Sequence, residues 1–330
     1  MIELRSPELT AAVAPHGARL ARLTAPDRDG RPGEVVVGLA EPDYKADTAY
    51  LGATVGRYAN RIAGGAFVLD GRRYVLPRNE PDATLHGGPA GFDHADFAAD
   101  PVVAVPGGQA VTLRHTSPDG DGGFPGALAV AVTYSVRGPE LAITITATTD
   151  APTVVNLTNH AYFDLGGRGT IADHEITLLA ERYLPIDAAL IPVGPPAPVA
   201  GTPFDLTAPT RIGDRLGDPR LGPTDGYDHC FVLQDWEGLR AAAHVRDPGS
   251  GRTLTVLTDQ PGVQFYTGSR LDCTTHDGRR VRRHGAFCLE PQQFPDAPNR
   301  PDFPATVLRP GEHHTTRILL RFGTDSMERR

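Results

Sequence analysis

An all-β fold is predicted for this 330-residue chain, and three observations predict it. Leu128 to Val136 and Leu141 to Thr149 flank the turn Arg137-Gly138-Pro139-Glu140 and read as a hairpin. In its second arm Leu141, Ile143, Ile145 and Ala147 alternate with Ala142, Thr144 and Thr146, a period of two that turns one strand face to a core. No segment sustains a 3.6-residue apolar period over three turns, so helix content should be low. Thirty-seven Gly and 31 Pro punctuate the chain into short β-rich runs, the pattern of many strands joined by turns.

Ahead of the hairpin, strands are expected at Val35 to Val37, Ala66 to Leu69, Tyr74 to Leu76, Val102 to Val105 and Val111 to Arg114. Each is rich in β-branched or aromatic residues and bounded by Gly, Pro or Asp. After it come Ile176 to Leu179, Leu254 to Thr258, Val263 to Thr267, Ala286 to Leu289 and Thr316 to Phe322. Pro192 to Pro198 reads as a long surface loop, because composition does not shift across it. Residues 1–330 therefore read as one domain, with a polar tail, 323–330, expected to fray.

Composition narrows the function. With 32 Lys+Arg against 40 Asp+Glu, a single lysine (Lys45) and no basic run, nothing matches a phosphate backbone, so nucleic acid is not an expected partner. Charges, Gly or Pro interrupt every apolar run before a membrane span, and no membrane association is expected. The charged start Met1-Ile2-Glu3-Leu4-Arg5 does not read as a signal peptide. Cys230, Cys273 and Cys288 are odd in number and widely spaced, which suits reduced thiols in the cytoplasm. No long apolar surface helix marks an obligate interface, so a monomer is expected and a dimer stays open.

The chain has no H-E-x-x-H, no Cys/His metal spacing, no G-x-x-x-x-G-K-[ST] and no G-x-S-x-G. Zinc hydrolysis, P-loop phosphoryl transfer and the usual serine hydrolase thus lose their signatures, and no metal or other cofactor is expected. Of the twelve histidines, His16, His115, His174, His244, His276, His284, His313 and His314 sit in polar or loop sequence and read as solvated surface groups. Denser blocks lie elsewhere: Asn60-Arg61-Ile62, Leu85-His86-Gly87-Gly88, Asn156-Leu157-Thr158-Asn159-His160, Gly226-Tyr227-Asp228-His229, Gln260 to Gly268, and Cys288 to Ala297. Taken singly, His160 reads as a core histidine, His86 as a loop residue and Glu290 as either a surface carboxylate or the end of a buried strand. Phe163, Phe265 and Tyr162 are core aromatics or sugar platforms.

In that order, from about Gly52 to Phe322, these blocks closely resemble the aldose 1-epimerase family, the galactose mutarotases. The resemblance implies a large antiparallel β-supersandwich with a sugar site in a cleft, and interconversion of the α and β anomers of a free aldose such as glucose or galactose. Opening a pyranose removes the proton of the C1 hydroxyl while the ring oxygen receives one, so a base and an acid are required and no cofactor is. By resemblance Glu290 is the base, His160 the acid and His86 a second donor near the ring oxygen. Asn60, Arg61, Tyr162, Asp228 and Gln264 match the substrate contacts, donors and acceptors suited to hydroxyls.

Ser269, Cys230 and Pro291 depart from the family pattern beside the site, so a related epimerase acting on another cyclic hemiacetal stays open, as does a sugar-binding sandwich without turnover. An unphosphorylated sugar is expected, since Asp228 and Glu290 outnumber Arg61; Arg270 or Arg300 could reverse this.

Overall fold

The computed structural model describes residues 1–235 and 237–325. Three larger antiparallel sheets and five two-stranded ones build the described residues. The largest has ten strands, in the order Ala98–Ala99, Gly108–Ser117, Leu128–Arg137, Glu140–Thr149, His314–Thr324, Arg252–Thr258, Arg240–Arg246, Glu175–Leu178 and Thr210–Arg211, with Val103–Val105 also on Gly108–Ser117. A four-stranded sheet holds Ile2–Arg5, Thr10–Ala14, Arg19–Pro26 and Pro32–Glu34. A six-stranded sheet runs Tyr162–Phe163, Phe287–Gln292, Gly262–Tyr266, Asp228–Val232, Arg182–Tyr183 and Ala197–Pro198. Helix is confined to short 3-10 turns among the described residues, none long or apolar enough to cross a membrane.

The hairpin forms as its periodicity requires. Val132 faces Ile145 and Tyr134 faces Ile143 in register, and Leu141, Ile143, Ile145 and Ala147 are all buried while the intervening residues are not. These side chains meet Leu20 and Leu23 of the four-stranded sheet and Phe265, Phe287 and Leu289 of the six-stranded one in a shared core. Truncating such a residue, Ile143→Ala for instance, costs about 2–5 kcal/mol through lost burial and the cavity left behind.

Four expectations need correction. Val35 to Val37 make only one bridge, Val36 to Phe163, and the strand there is Pro32–Glu34. All three valines are buried because the segment crosses between sheets, Val35 N–H donating to Leu23 and Val37 N–H to Tyr162 carbonyls. An apolar run signals burial, not necessarily a ladder. Within the expected Pro192–Pro198 loop, Ala197–Pro198 pairs with Arg182–Tyr183 as an edge strand. Gly323 and Thr324, expected to fray, pair with Thr253 and Arg252, and Asp325 bridges Arg28 and Arg246; residues 326–330 lie outside the described residues. His174, expected at the surface, is fully buried, its Nε2 accepting from Leu165 N–H at 3.1 Å.

Candidate active site

Period two on the six-stranded sheet separates chemistry from core. Phe265, Phe287, Leu289 and Phe231 turn inward, whereas Gln264, Tyr266, Asp228 and Glu290 line a cleft of about 320 Å³ on the opposite side. Antiparallel register puts Gln264 directly opposite Glu290, and Asp228 opposite Tyr266. Gln264 Nε2 donates to Asp228 Oδ1 at 2.6 Å. Gln264 Oε1 and Glu290 Oε2 are buried and have no hydrogen-bond partner among the described residues.

A second wall comes from the two-stranded antiparallel pair Arg61–Ala63 and Ala83–Leu85. At its mouth Asn60 (φ 65°) and His86 (φ 52°) both adopt the left-handed conformation, a cost of order 1–3 kcal/mol that surrounding contacts must hold. They do so reciprocally. His86 N–H donates to the Asn60 carbonyl at 3.1 Å, and Asn60 N–H donates to His86 Nδ1 at 3.1 Å. With Nδ1 an acceptor, the neutral ring carries its proton on Nε2 and is a donor there. Gly87 follows because a Cβ at this left-handed position (φ 92°) would lie 2.0 Å from the Gly56 carbonyl oxygen.

The third wall is the segment around His160, tied to Gly52–Ala53 by His160 N–H to the Ala53 carbonyl (2.8 Å) and Gly52 N–H to the His160 carbonyl (3.0 Å). The His160 ring lies 5.2 Å from that of His86, 5.1 Å from Tyr162 and 5.8 Å from Tyr50. Its Nε2 is 3.7 Å from Glu290 Oε2. Tyr50 sits on a loop anchored by a buried ion pair. Arg19 Nη1 donates to Asp47 Oδ2 at 2.6 Å and to the Leu51 carbonyl at 2.9 Å, while Asp47 accepts from the N–H groups of Ala49 and Leu51.

Burial dominates the electrostatics. It pushes the Glu290 carboxyl well above the usual range, with Asp228 adding to the rise and Arg61 opposing it. It lowers His160 to about 4, against a smaller upward pull from Asp228, and lowers His86 well below its ordinary value, with His160 and Arg61 adding to the fall. Burial also opposes the charge on Arg61, but Asp228 and Glu80 outweigh it and the guanidinium is raised.

The aldose 1-epimerase family model matches residues 1–321. The chain belongs to the aldose 1-epimerase family. Its similarity to the galactose mutarotase of Rattus norvegicus is 45% identity, covering 95% of this chain and 92% of that protein. The Escherichia coli (strain K12) aldose 1-epimerase is 37% identical over 93% of this chain and 90% of its own length. The crystal structure of an aldose epimerase homologue from C. elegans superposes with a TM-score of 0.90 at 32% identity, covering 98% of each chain. The sheets described above are thus the galactose mutarotase-like sandwich.

All eight residues singled out in the sequence as this family's site residues, Asn60, Arg61, His86, His160, Tyr162, Asp228, Gln264 and Glu290, line the one cleft. Phe163 and Phe265 do not, and belong to the core. Ser269, Cys230 and Pro291, where the sequence departs from the epimerase pattern, do not line it either. Cys230 packs with Leu184, Phe294 and Phe303. Pro291 faces Val263 on one side, and the ladder on its other side ends at Cys288, where its missing N–H is not needed.

Tyr50, Asn79, Glu80 and Tyr266 also line the cleft and were not found from sequence. Tyr266 was accessible, since it shares parity with Gln264. Tyr50, Asn79 and Glu80 sit in loops with no periodicity to mark them. One ligand atom each from His86, His160 and Glu290 lie within 4.8 Å of one another, a donor set able to accept a divalent cation.

Proposed function

We propose that this cleft opens and recloses the ring of free aldoses, with Glu290 as base, His160 as acid and His86 as a second donor, making the protein a mutarotase and an isomerase. Family membership supports the reaction. The observation that carries the roles is the approach of Glu290 Oε2 and His160 Nε2 to 3.7 Å. The two reacting oxygens of a pyranose, the C1 hydroxyl and the ring oxygen, are bonded to the same carbon, so a base and an acid must present their tips this close together.

Glu290 takes the hydroxyl proton, C1=O forms, the bond from C1 to the ring oxygen breaks, and that oxygen takes the proton of His160. Rotation about C1–C2 presents the other aldehyde face. Reclosure returns one proton from Glu290 to the C1 oxygen and one from the ring oxygen to His160, so neither group is consumed. The pair needs one proton between them, in the distribution carboxylate plus imidazolium. Burial opposes this separation of charge; Arg61 favours the carboxylate, while Asp228 favours the imidazolium and disfavours the carboxylate. Asn60, Arg61, Asp228 and Gln264 take the sugar hydroxyls, and Tyr162 lies beside His160 as a wall for the ring.

Ser269, Cys230 and Pro291 lie off the cleft lining, which removes the reason to assign a different hemiacetal. Polarimetry of freshly dissolved α-glucose or α-galactose tests the proposal: rotation should relax faster with the protein than without it. An unchanged relaxation rate for both sugars rejects it.

A further inference from the structure

The cleft contains two guanidinium groups, Arg61 on its wall and Arg270 at its rim, the latter with a side chain 76% exposed. Two convergent arginines are the usual device for gripping a phosphate or carboxylate. Here their charge is already engaged. Glu80 accepts from Arg61 Nε at 2.7 Å and Nη2 at 3.0 Å, a bidentate pair, and its Oε1 also lies 3.7 Å from Arg270 Nη1. Only Arg61 Nη1 is left toward Asp228, at 3.8 Å.

The carboxylate is held firmly in place. Glu80 N–H donates to the Ala83 carbonyl at 3.2 Å, and Asn79 next to it clamps both backbone groups of Leu85, at 3.0 Å and 2.8 Å. Arg270 is steadied by its own N–H, which donates to the Tyr266 hydroxyl at 2.9 Å. Arg300, the other candidate for binding an anion, is paired with Asp302 and with the carbonyls of Pro192 and Gly194, and does not line the cleft.

We propose that Glu80 is a specificity-determining residue, which occupies both arginines so that the cleft selects uncharged sugars and which holds Arg61 with Nη1 aimed at Asp228. This rests on the proposed function. Counted as formal charges, Arg61 and Arg270 balance Glu80 and Asp228. Without Glu80 the two arginines would share Asp228 alone, and an anionic sugar would meet one net positive charge where the intact set is neutral.

The test compares kcat/KM for mutarotation of glucose and of glucose 6-phosphate in wild type, Glu80→Gln and Glu80→Asp. Glu80→Gln should raise the ratio for the phosphorylated over the neutral sugar about tenfold or more, mainly through KM, with the gain shrinking as salt is added. Glu80→Asp keeps the charge and should keep the discrimination, while its shorter arm raises KM for glucose. A ratio within twofold of wild type in Glu80→Gln, or an equal rise in both variants, overturns the proposal. If Glu80→Gln does not fold, Arg270→Gln at the exposed rim decides: Glu80 then faces one cation fewer, and the ratio should fall below wild type; an unchanged or higher ratio overturns it. Failure of wild type to act on both glucose and galactose would instead reject the proposed function, and calorimetric binding of glucose and glucose 6-phosphate to the same variants would then decide the charge assignment.

Discussion

His160 Nε2 lies 3.7 Å from Glu290 Oε2, and both side chains are almost entirely enclosed. The separation is too long for a good hydrogen bond, so neither group is satisfied by the other. Glu290 Oε2 is left without a hydrogen-bond partner among the described residues, an arrangement that costs stability and is retained where a ligand uses it.

Glu290→Gln keeps the shape and removes the base. Its kcat for mutarotation should fall by about 10²–10⁴ with sugar binding largely kept. His160→Gln should cost a similar factor, and the double variant less than the product of the two, because the residues serve one proton cycle. Anomer-specific coupled oxidation measures all three, and independent, multiplying losses would remove the paired roles.

The same variant should be more stable at neutral pH. The folded-state pKa of Glu290 is raised by burial, so folding favours the protonated form; that contribution is full below the ordinary carboxyl range and is lost as pH rises toward the raised value. A glutamine escapes the loss. Thermal melts at pH 7 to 8 should show Glu290→Gln melting above wild type, with the gap narrowing toward acid pH.

Acid should act through the histidines. Burial lowers His160 and His314 to about 4 and His229 to about 3. Their stabilising contribution is present above the unfolded value of about 6.5 and is lost as pH falls through the folded values. Urea midpoints should therefore decline between pH 6.5 and about 4, and His314→Gln, away from the cleft, should flatten part of that slope.

Asp47 reaches activity through structure. Asp47→Ala leaves the fully buried Arg19 without its carboxylate and should cost about 3–5 kcal/mol. Replacing both residues by apolar ones should recover part of the loss. Denaturant melts of the single and double variants separate the two outcomes.

Mutarotation should survive dialysis against a chelator, since neither proton transfer needs a metal. The His86, His160 and Glu290 donor set should instead make added zinc an inhibitor, and His86→Gln should weaken that inhibition. Loss of activity with the chelator and recovery with a divalent ion would reverse this assignment.

Much of this molecule was legible in the chain itself. The hairpin at 128–149 declared its register through alternation, because a sheet with one buried face repeats every second residue. The blocks around Asn60, His86, His160, Asp228, Gln264 and Glu290 declared a family, and all of them reach one cleft. Local sequence misjudged Val35 to Val37 and His174, since whether a segment pairs or merely passes through a core depends on neighbours far along the chain.

Glu80 marks the limit most clearly. Nothing in Asn79-Glu80-Pro81 announces a partner for Arg61. The pairing of Arg61–Ala63 with Ala83–Leu85 brings Glu80 to the guanidinium across 19 positions of sequence. Sequence by itself determined the strand pattern, the chemistry available and the family, because those depend on residue type and short-range period. Which charges neutralise one another, which histidine tautomer is held and which aromatic lines the cleft were decided only by tertiary structure, because electrostatic coupling and burial depend on distance in space.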